Sequence, residues 1–356
     1  MPRFMFIADA HVKARTWTNN PQIQGDAYAA LSKVAAIEDL PGTLVIGGDW
    51  FDSMRPSSED MFRTSLFAER FDKVLYIRGN HDKSVPNWLA SLPNAEQLTT
   101  TPVPIGDGHM AGLDWVPDEE ELQLQLSAVC REAMELPTDS ILYIAMHQPS
   151  RHLLGFDGAW KVDFAKVAED FEQMAKSMRI VFLVGDIHVQ DTRKFGDITV
   201  HSPGCLYPLT EDTVNDPHGV SIVEGLDIAH RQIKVRDYIE AHYANDTELE
   251  ELIGEAEAAS ASERLLPPRI SVVVPEGVKV STSKAVVLQA VAAESDQSAT
   301  QGTSERPSTE CTMRDALMQA CGDDKKLSSL ALALYDSEDQ AAAIESWLKF
   351  WKVERG

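Results

Sequence analysis

Residues 76–83 read YIRGNHDK, and this stretch decides how the rest of the chain is interpreted. An apolar run ends in Gly79, and an amide, an imidazole and a carboxylate follow it without a spacer. Gly-Asn is common in turns and Asp is common at helix N-caps, so a purely structural interpretation of this loop is open. The same three kinds of side chain also bind divalent metal ions. The loop alone does not distinguish the two interpretations.

Up to about residue 240, the chain alternates short apolar runs with helical patterns. Runs such as TLVIGGD and ILYIAMH are continuously apolar, which is typical of strands buried on both faces. Helical spacing lies between such runs, at residues 25–40, 57–71 and 163–178. This alternation predicts an α/β domain whose sheets are covered by helices.

Polar side chains follow nearly every predicted strand. They occur in the stretches FIADAH, VIGGDWFD, YIRGNHD, IAMHQP and LVGDIH, and they are Asp9, His11, Asp49, Asp52, Asn80, His81, His147, Asp186 and His188. In open α/β sheets, ligands bind in the crevice beyond the carboxyl ends of the strands. A turn explains one such group, whereas five groups at equivalent strand ends predict one common site.

The residue types indicate what this site binds. Carboxylates, imidazoles and one amide, without a thiolate, suit divalent ions such as Mn²⁺, Fe²⁺ or Zn²⁺. Seven candidate ligands are too many for one ion, whereas two ions about 3.5–4 Å apart can share a bridging Asp. Such a pair activates a bridging hydroxide and stabilises an in-line displacement at phosphorus.

The order and spacing of D-x-H, G-D-x-x-D, G-N-H-D, a lone His and a final G-x-x-H resemble the calcineurin-like metallophosphoesterase superfamily, over roughly the first 210 residues. GDWFD, the GNHD loop and HSPGCLYPLT are most similar to the SbcD-type DNA repair nucleases. The resemblance implies a sandwich of two β-sheets flanked by helices. It also implies a DNA exo/endonuclease that hydrolyses phosphodiester bonds with two metal ions. The implied partner is an SbcC-like SMC-family ATPase, bound by a homodimer of this chain within a heterotetramer.

The resemblance further implies a ligand set for each ion. One ion would be held by Asp9, His11, Asp49 and His188, with Asp49 bridging, and the second would be completed by Asn80, His147 and Asp186.

Three residues of the site need separate comment. By the same resemblance, His81 would face the scissile phosphate and stabilise the departing oxygen, and Asp52 would hydrogen-bond His81 and set its tautomer. Asp186 stands where the family usually has histidine, in G-H-x-H. A carboxylate there favours harder ions, so Mn²⁺ is the preferred metal and Mg²⁺ the alternative. If Asp186 points away, water would take its place.

The charge of the chain argues against a nucleic-acid substrate. Its 356 residues carry a formal net charge of −24, which repels nucleic acids and anionic membranes. Basic residues nevertheless occur in the loops after the motif strands: Lys13, Arg15, Arg55, Arg78, Lys83, Arg151, Arg193 and Lys194. Either these residues attract DNA locally, or the partner ATPase supplies most of the DNA affinity.

Cysteine usage and hydropathy bear on location. The four cysteines have no CxxC spacing, which is typical of reduced thiols in a cytoplasmic protein. No stretch approaches the roughly 20 apolar residues that span a bilayer, so no membrane association is expected. The histidines outside the motifs are expected on the surface or in loops: His109, His152, His201, His218, His230 and His242.

Composition changes along the chain predict its domains. Residues 1–235 form the nuclease domain, and residues 236–292 form a small α+β capping domain. In that domain a helical pattern runs from residue 237 to about 254, and one or two strands and a helix follow. Residues 293–309 are a Ser/Thr/Gln-rich flexible linker. Residues 310–356 are a helical tail, which either folds back on the catalytic domain or binds the partner ATPase.

Two other functions remain open at this stage. One is a metallophosphatase or a small-molecule phosphodiesterase, for example one that acts on cyclic nucleotides. The other is a structural subunit with an inactive metal site, for which Asp186 is the only argument.

Overall fold

A computed structural model describes residues 1–17, 20–150, 162–210, 213–274 and 287–292. Within them the strands are β1 (Arg3–Ile7), β2 (Arg15–Trp17), β3 (Asn20–Gln24), β4 (Thr43–Gly47), β5 (Lys73–Ile77), β6 (Ala95–Gln97), β7 (Val103–Ile105), β8 (Gly108–Leu113), β9 (Ile141–His147), β10 (Arg179–Gly185), β11 (Gln190–Phe195), β12 (Ile198–Pro203), β13 (Gly219–Glu224), β14 (Asp227–Gln232), β15 (Arg236–His242), β16 (Leu266–Val274) and β17 (Val287–Ala292). The α-helices are α1 (Asp26–Ala35), α2 (Ser58–Ala68), α3 (Glu119–Ala133), α4 (Phe164–Asp170), α5 (Glu172–Ala175) and α6 (Asp246–Ser262), and a 3₁₀ helix covers Trp88–Ser91.

Two six-stranded sheets form the large domain. Their strand orders are β14-β13-β1-β4-β5-β6 and β11-β12-β10-β9-β8-β7. β1, β4, β5 and β6 pair in parallel in the first sheet, and β8, β9, β10 and β12 do so in the second. Parallel pairing places the carboxyl ends of the central strands of each sheet at one edge, where the predicted ligands follow.

Alternation along β1 explains why its sequence is continuously apolar. Phe4 and Phe6 belong to the core between the two sheets, which also contains Tyr143 and Leu183. Met5 and Ile7 point to the opposite face and pack in the core beneath α1 and α2. A third core lies between the second sheet and α3 and α4. The predicted sandwich of two sheets flanked by helices is thus confirmed.

Local sequence signals set the helix boundaries. Ser57 caps α2, and a capping box links its side chain to Asp60. The predicted helix at residues 163–178 is two short helices, α4 and α5. α3 lay outside the sequence prediction, although Asp118 caps it and acidic residues fill its first turn.

A three-stranded parallel sheet, β15-β16-β17, carries α6 on one face. The helix buries Leu249 and Ile253 against Ile270 and Val272. The helical prediction from residue 237 is wrong for its first part, because β15 extends to His242 and pairs with β16. Alternating side chains in DYIEAHY suit a strand, and Asn245 then caps α6. Of the stretch 267–293, expected to contain one or two strands and a helix, Val287–Ala292 is a strand.

His201 is buried, and the expectation that it lies at the surface is wrong. Its Nδ1 lies 2.7 Å from Oγ1 of Thr192, and its Nε2 lies 2.7 Å from Oγ of Ser221. Because Thr192 belongs to the second sheet and Ser221 to the first, His201 hydrogen-bonds the two sheets together. His218 is also buried, and its Nδ1 lies 3.3 Å from Sγ of Cys205.

A buried ion pair joins the small sheet to the large domain. Nη2 and Nε of Arg236, at the start of β15, donate to the two carboxylate oxygens of Asp26 at 2.9 and 3.0 Å. Thr16 donates to the same carboxylate at 2.5 Å, and the ring of Trp17 stacks on Tyr238. We call these residues the interdomain clasp.

The domain boundaries proposed from the sequence stay predictions. The described residues belong to one compact unit that ends at Ser295. The linker (293–309) and the helical tail (310–356) lie outside the described residues.

Replacing Arg236 by Met should lower the free energy of unfolding by about 3–5 kcal/mol, because Asp26 would remain fully buried without its cation. Urea unfolding monitored by circular dichroism measures this change. Lys73→Met is the matched control. It removes an exposed pair with Glu96 of similar length, 2.8 Å, and should change stability by about 0–1 kcal/mol. Equal effects of the two substitutions would contradict the assigned role of the clasp.

Candidate metal centre

All seven predicted metal ligands lie at the carboxyl ends of five parallel strands. Asp9 and His11 follow β1, Asp49 follows β4, Asn80 follows β5, His147 ends β9, and Asp186 and His188 follow β10. The two sheets meet here, since Nδ1 of His147 lies 2.8 Å from the carbonyl oxygen of Gly47 at the end of β4. The prediction that the strand ends converge on one site therefore agrees with the placement of these residues.

Four of these residues have a left-handed backbone. The φ angles are 51° at Asp9, 38° at His11, 47° at Asp49 and 71° at Asp186. Such conformations are uncommon outside glycine and cluster at functional sites, where surrounding contacts hold them. Here the amide of Asp9 donates to the Gly48 carbonyl, and the amide of His11 donates to the Asp49 carbonyl. The turns at which the strands end thus direct these side chains.

Two glycines leave the room that the ligands occupy. A Cβ atom at Gly79 would collide with the carboxylate and the amide of Asp49. A Cβ atom at Gly48 would collide with the ring of His147, and Gly48 also has a φ of 87°. Any larger residue at either position would displace the candidate ligand Asp49 or His147.

The candidate ligands form two clusters that share Asp9. The His11 cluster contains Asp9, His11 and His188, and the His147 cluster contains Asp9, Asp49 and His147. Nε2 of His188 lies 3.7 Å from Oδ1 of Asp9. When two ligand atoms each bind the same ion at about 2.1 Å, they lie about 3–4 Å from each other. The spacing within each cluster is compatible with one ion.

Asp49 lies between the two clusters. Its Oδ2 is 3.6 Å from Nε2 of His11 and 3.3 Å from Nε2 of His147. Asn80 and Asp186 lie beside His147, with their side-chain oxygens 3.2 and 3.8 Å from its Nε2. Asp49 and Asp186 thus both face the ring of His147, and the bridging role of Asp49 stays a prediction.

Hydrogen bonds fix the tautomers of two ligands. A carbonyl or carboxylate oxygen can only accept, so Nδ1 of His147 donates to Gly47, and Nδ1 of His11 donates to Asp52 at 3.1 Å. In its neutral form, each ring would present the Nε2 lone pair to the centre. Nε2 of His11 is buried and has no hydrogen-bond partner among the described residues. A buried nitrogen of this kind, facing buried carboxylates, fits a metal ion.

In the metal-free protein, the buried carboxylates around His147 raise its affinity for a proton. Burial alone would lower the pKa of His147, but Asp49 and then Asp9 raise it well above its ordinary value. Burial alone would raise the pKa of Asp49, and His147 and His11 instead lower it below its usual range. Burial raises the pKa of Asp9 and of Asp186. Burial and the charges of His11 and His147 lower the pKa of His188 to about 3.

His81 lies at the exposed rim of the centre. Its amide donates to Oδ1 of Asp49 at 2.9 Å, and its ring packs edge-on against the ring of His11. Nδ1 of His81 lies 3.1 Å from the backbone carbonyl of Asp52. The expectation that the Asp52 carboxylate orients His81 is therefore wrong: that carboxylate binds His11 and Lys13, and the backbone carbonyl accepts from His81 instead.

Asp82 has a role that the sequence analysis left unassigned. Its carboxylate is fully buried and accepts from the amides of Gly79 at 2.8 Å and Trp50 at 2.9 Å. These bonds tie the loop after β5 to the loop after β4, so Asn80 and Asp49 are held in register. The signal was present in GNHD, because an Asp three residues after a turn glycine can accept that glycine's amide.

Binding of Mn²⁺ at pH 7 should release protons, because the raised pKa keeps His147 protonated in the metal-free protein and the metal needs its lone pair. Affinity should therefore rise with pH until the raised pKa is passed. Calorimetric titration in buffers of different ionisation enthalpy measures the proton count. His147→Gln should reduce the release, and His242→Gln, at an exposed position on β15, should leave it unchanged. Metal binding without proton release would contradict the assignment.

His81→Ala should retain the metal stoichiometry and lower turnover about 10²–10⁴-fold, because the predicted acid catalyst would be lost while the seven predicted ligands remain. Asp52→Asn should act differently and weaken metal binding through His11. Elemental analysis and single-turnover kinetics separate the two effects. Loss of metal in the His81 variant would show that His81 is itself a ligand.

Comparison with known proteins agrees with this geometry. The DNA double-strand break repair protein Mre11 of Methanosarcina acetivorans is 27% identical over 255 residues, or 67% of this chain. Mre11 of Methanosarcina mazei is 28% identical over 253 residues, also 67% of the chain. The chain spans 39% of the length of each of these curated relatives.

Solved structures give more distant matches. A 5'-nucleotidase from Candida albicans is 15% identical, with a TM-score of 0.36, and the match covers 57% of this chain and 46% of that one. The phosphopantetheinyl hydrolase of Mycobacterium tuberculosis is 13% identical, with a TM-score of 0.36, and the match covers 58% and 90% of the two chains.

The family model for calcineurin-like phosphoesterases matches residues 2–190, which contain every candidate ligand. This family uses a dinuclear metal site, for which the two clusters are the candidates. The chain belongs to the calcineurin-like phosphoesterase family.

Proposed function

We propose that this chain is a metal-dependent DNA phosphodiesterase, the nuclease subunit of an SbcCD-like complex. The observation that carries the proposal is the centre itself. Buried carboxylates and imidazoles form two clusters that share Asp9, and the exposed His81 stands at their rim. That arrangement suits hydrolysis of a phosphate ester whose leaving oxygen needs a proton.

The proposed role of each residue follows from its surroundings. When bound, two divalent ions would activate water and neutralise charge on the phosphate. Asp9, His11, Asp49, Asn80, His147, Asp186 and His188 would hold them. The donor set has oxygen and imidazole nitrogen atoms and no thiolate, which favours Mn²⁺, with Mg²⁺ as the alternative. His81 would donate a proton from Nε2 to the departing oxygen, since its Nδ1 is engaged by the Asp52 carbonyl.

Two observations support DNA as the substrate. The curated relatives are named as DNA double-strand break repair proteins. In addition, some of the basic residues after the motif strands are available to phosphates. Lys13, Arg78 and Arg193 pair with Asp52, Asp114 and Asp191. Arg15, Arg55, Lys83 and Lys194 are exposed and form no ion pair among the described residues. Arg151 lies outside the described residues.

The second candidate function is hydrolysis of a small phosphate ester, by a metallophosphatase or a cyclic-nucleotide phosphodiesterase. The same centre could carry out that reaction, because metal ligation and proton donation do not depend on the length of the substrate. The acidic charge of the chain favours this alternative, since a small ester needs no extended basic surface.

The assembly also belongs to the proposal. A homodimer of this chain would bind an SbcC-like SMC-family ATPase through residues 310–356, within a heterotetramer in the cytoplasm. The apolar periodicity of those residues supports a helical contact with a partner. The described part of the chain contains no helix long and apolar enough to cross a membrane.

With Mn²⁺, the protein should cleave linear duplex DNA, and the SbcC-like ATPase with ATP should stimulate this cleavage. Electrophoresis of end-labelled DNA measures the products. The comparison substrates are bis(p-nitrophenyl) phosphate, p-nitrophenyl phosphate and a cyclic nucleotide. Asp49→Ala should abolish every activity, because it removes the carboxylate that lies close to both His11 and His147. Efficient hydrolysis of the cyclic nucleotide or the monoester, with DNA left intact, would favour the second candidate function.

A further inference from the structure

Lys13 lies two residues after the candidate ligand His11, and it is mostly buried. Its side chain is 25% exposed, and its Nζ lies 2.8 Å from Oδ1 of Asp52. The same oxygen accepts from Nδ1 of His11 at 3.1 Å. One carboxylate oxygen therefore joins an ammonium group to the ring of a candidate metal ligand.

The ammonium group of Lys13 lies beside a third group of possible metal-binding side chains. His11, Asp52 and His81 form a third cluster with the spacing of a metal site. Asp52 provides the only carboxylate of this cluster, and Lys13 already neutralises it.

We propose that Lys13 is a positioning residue for the metal centre: it holds the Asp52 carboxylate against Nδ1 of His11 and so keeps Nε2 of His11 directed at Asp49. The inference rests on the proposed two-metal function of the same site. The Asp52 side chain is 34% exposed, and without the ammonium group it is free to turn toward water. His11 would then lose the acceptor that fixes its tautomer and orientation.

A direct contact between Lys13 and the substrate phosphate is the competing explanation. The geometry favours the positioning role, because the ammonium group of Lys13 already forms a short ion pair with the Asp52 carboxylate. Exposed Lys83 and Arg55 lie in neighbouring loops without acidic partners among the described residues, and they suit a phosphate contact better.

Metal binding measured without any substrate tests the proposal. Lys13→Met should weaken Mn²⁺ binding about 10–100-fold at one of the two sites, as does removal of other groups that orient a metal-bound histidine. Asp52→Asn should have a similar effect. The double variant should be no weaker than Asp52→Asn alone, because Lys13 acts through Asp52. The visible absorption spectrum of the Co²⁺-loaded protein should change in Lys13→Met in the same way as in Asp52→Asn.

Two further variants complete the experiment. Lys13→Arg keeps the charge and the donors and should restore part of the affinity. Lys73→Met removes an ion pair of the same 2.8 Å length far from the centre and should bind metal normally. If Lys13→Met does not fold, Lys13→Gln carries the same expectation.

Unchanged Mn²⁺ affinity and an unchanged Co²⁺ spectrum in the Lys13 variants would overturn the proposal, and a raised KM for DNA in those variants would identify a phosphate contact instead. The measurements of Mn²⁺ affinity and of the Co²⁺ spectrum do not require DNA cleavage. If the protein binds two ions but leaves DNA intact, the proposed function fails while the positioning role of Lys13 is still decided.

Discussion

The hydrogen bond from Nδ1 of His147 to the carbonyl oxygen of Gly47 joins the two sheets at the edge where every candidate metal ligand lies. It brings β9 of the second sheet against β4 of the first, so ligands from both sheets reach one centre. It also determines which nitrogen of His147 faces the carboxylates. The close approach leaves no room for a side chain at Gly48. The position of Asp49 between His11 and His147 therefore depends on how closely these two strands meet.

Much of this centre is predictable from the sequence, because its residues follow strands whose apolar character is unmistakable. An Asp or His at the carboxyl end of a parallel strand lies at the same edge of the sheet as the ends of the neighbouring parallel strands. The convergence of Asp9, Asp49 and His147 therefore follows from the topology. The partners of those residues are harder to predict. Asp52 is three residues beyond Asp49 and lies within reach of both His11 and His81, and only the left-handed turns decide that the carboxylate contacts His11.

The predictions for His201 and for β15 are wrong for the same reason, because contacts between distant segments decide the outcome. His201 lies in a strand bounded by polar residues, and nothing local indicates that Ser221 of the other sheet will supply its second hydrogen bond. Residues of β15 are acidic and alternate weakly, and their pairing with β16 overrides a helical tendency that continues into α6. Short-range sequence patterns thus predict most of the elements, whereas contacts between distant segments override them in β15 and decide which polar groups are satisfied.

The interdomain clasp has a mechanical consequence for the metal centre. The chain passes from the ligands Asp9 and His11 directly into β2 and β3 and then to Asp26, where Arg236 anchors the small sheet. Only a short hairpin separates the first ligands from that anchor. A rotation of the small sheet must therefore break a buried charge pair or pull on the segment that carries two ligands. The pair of Asp26 and Arg236 therefore links the small sheet to the chain segment that carries the candidate ligands Asp9 and His11.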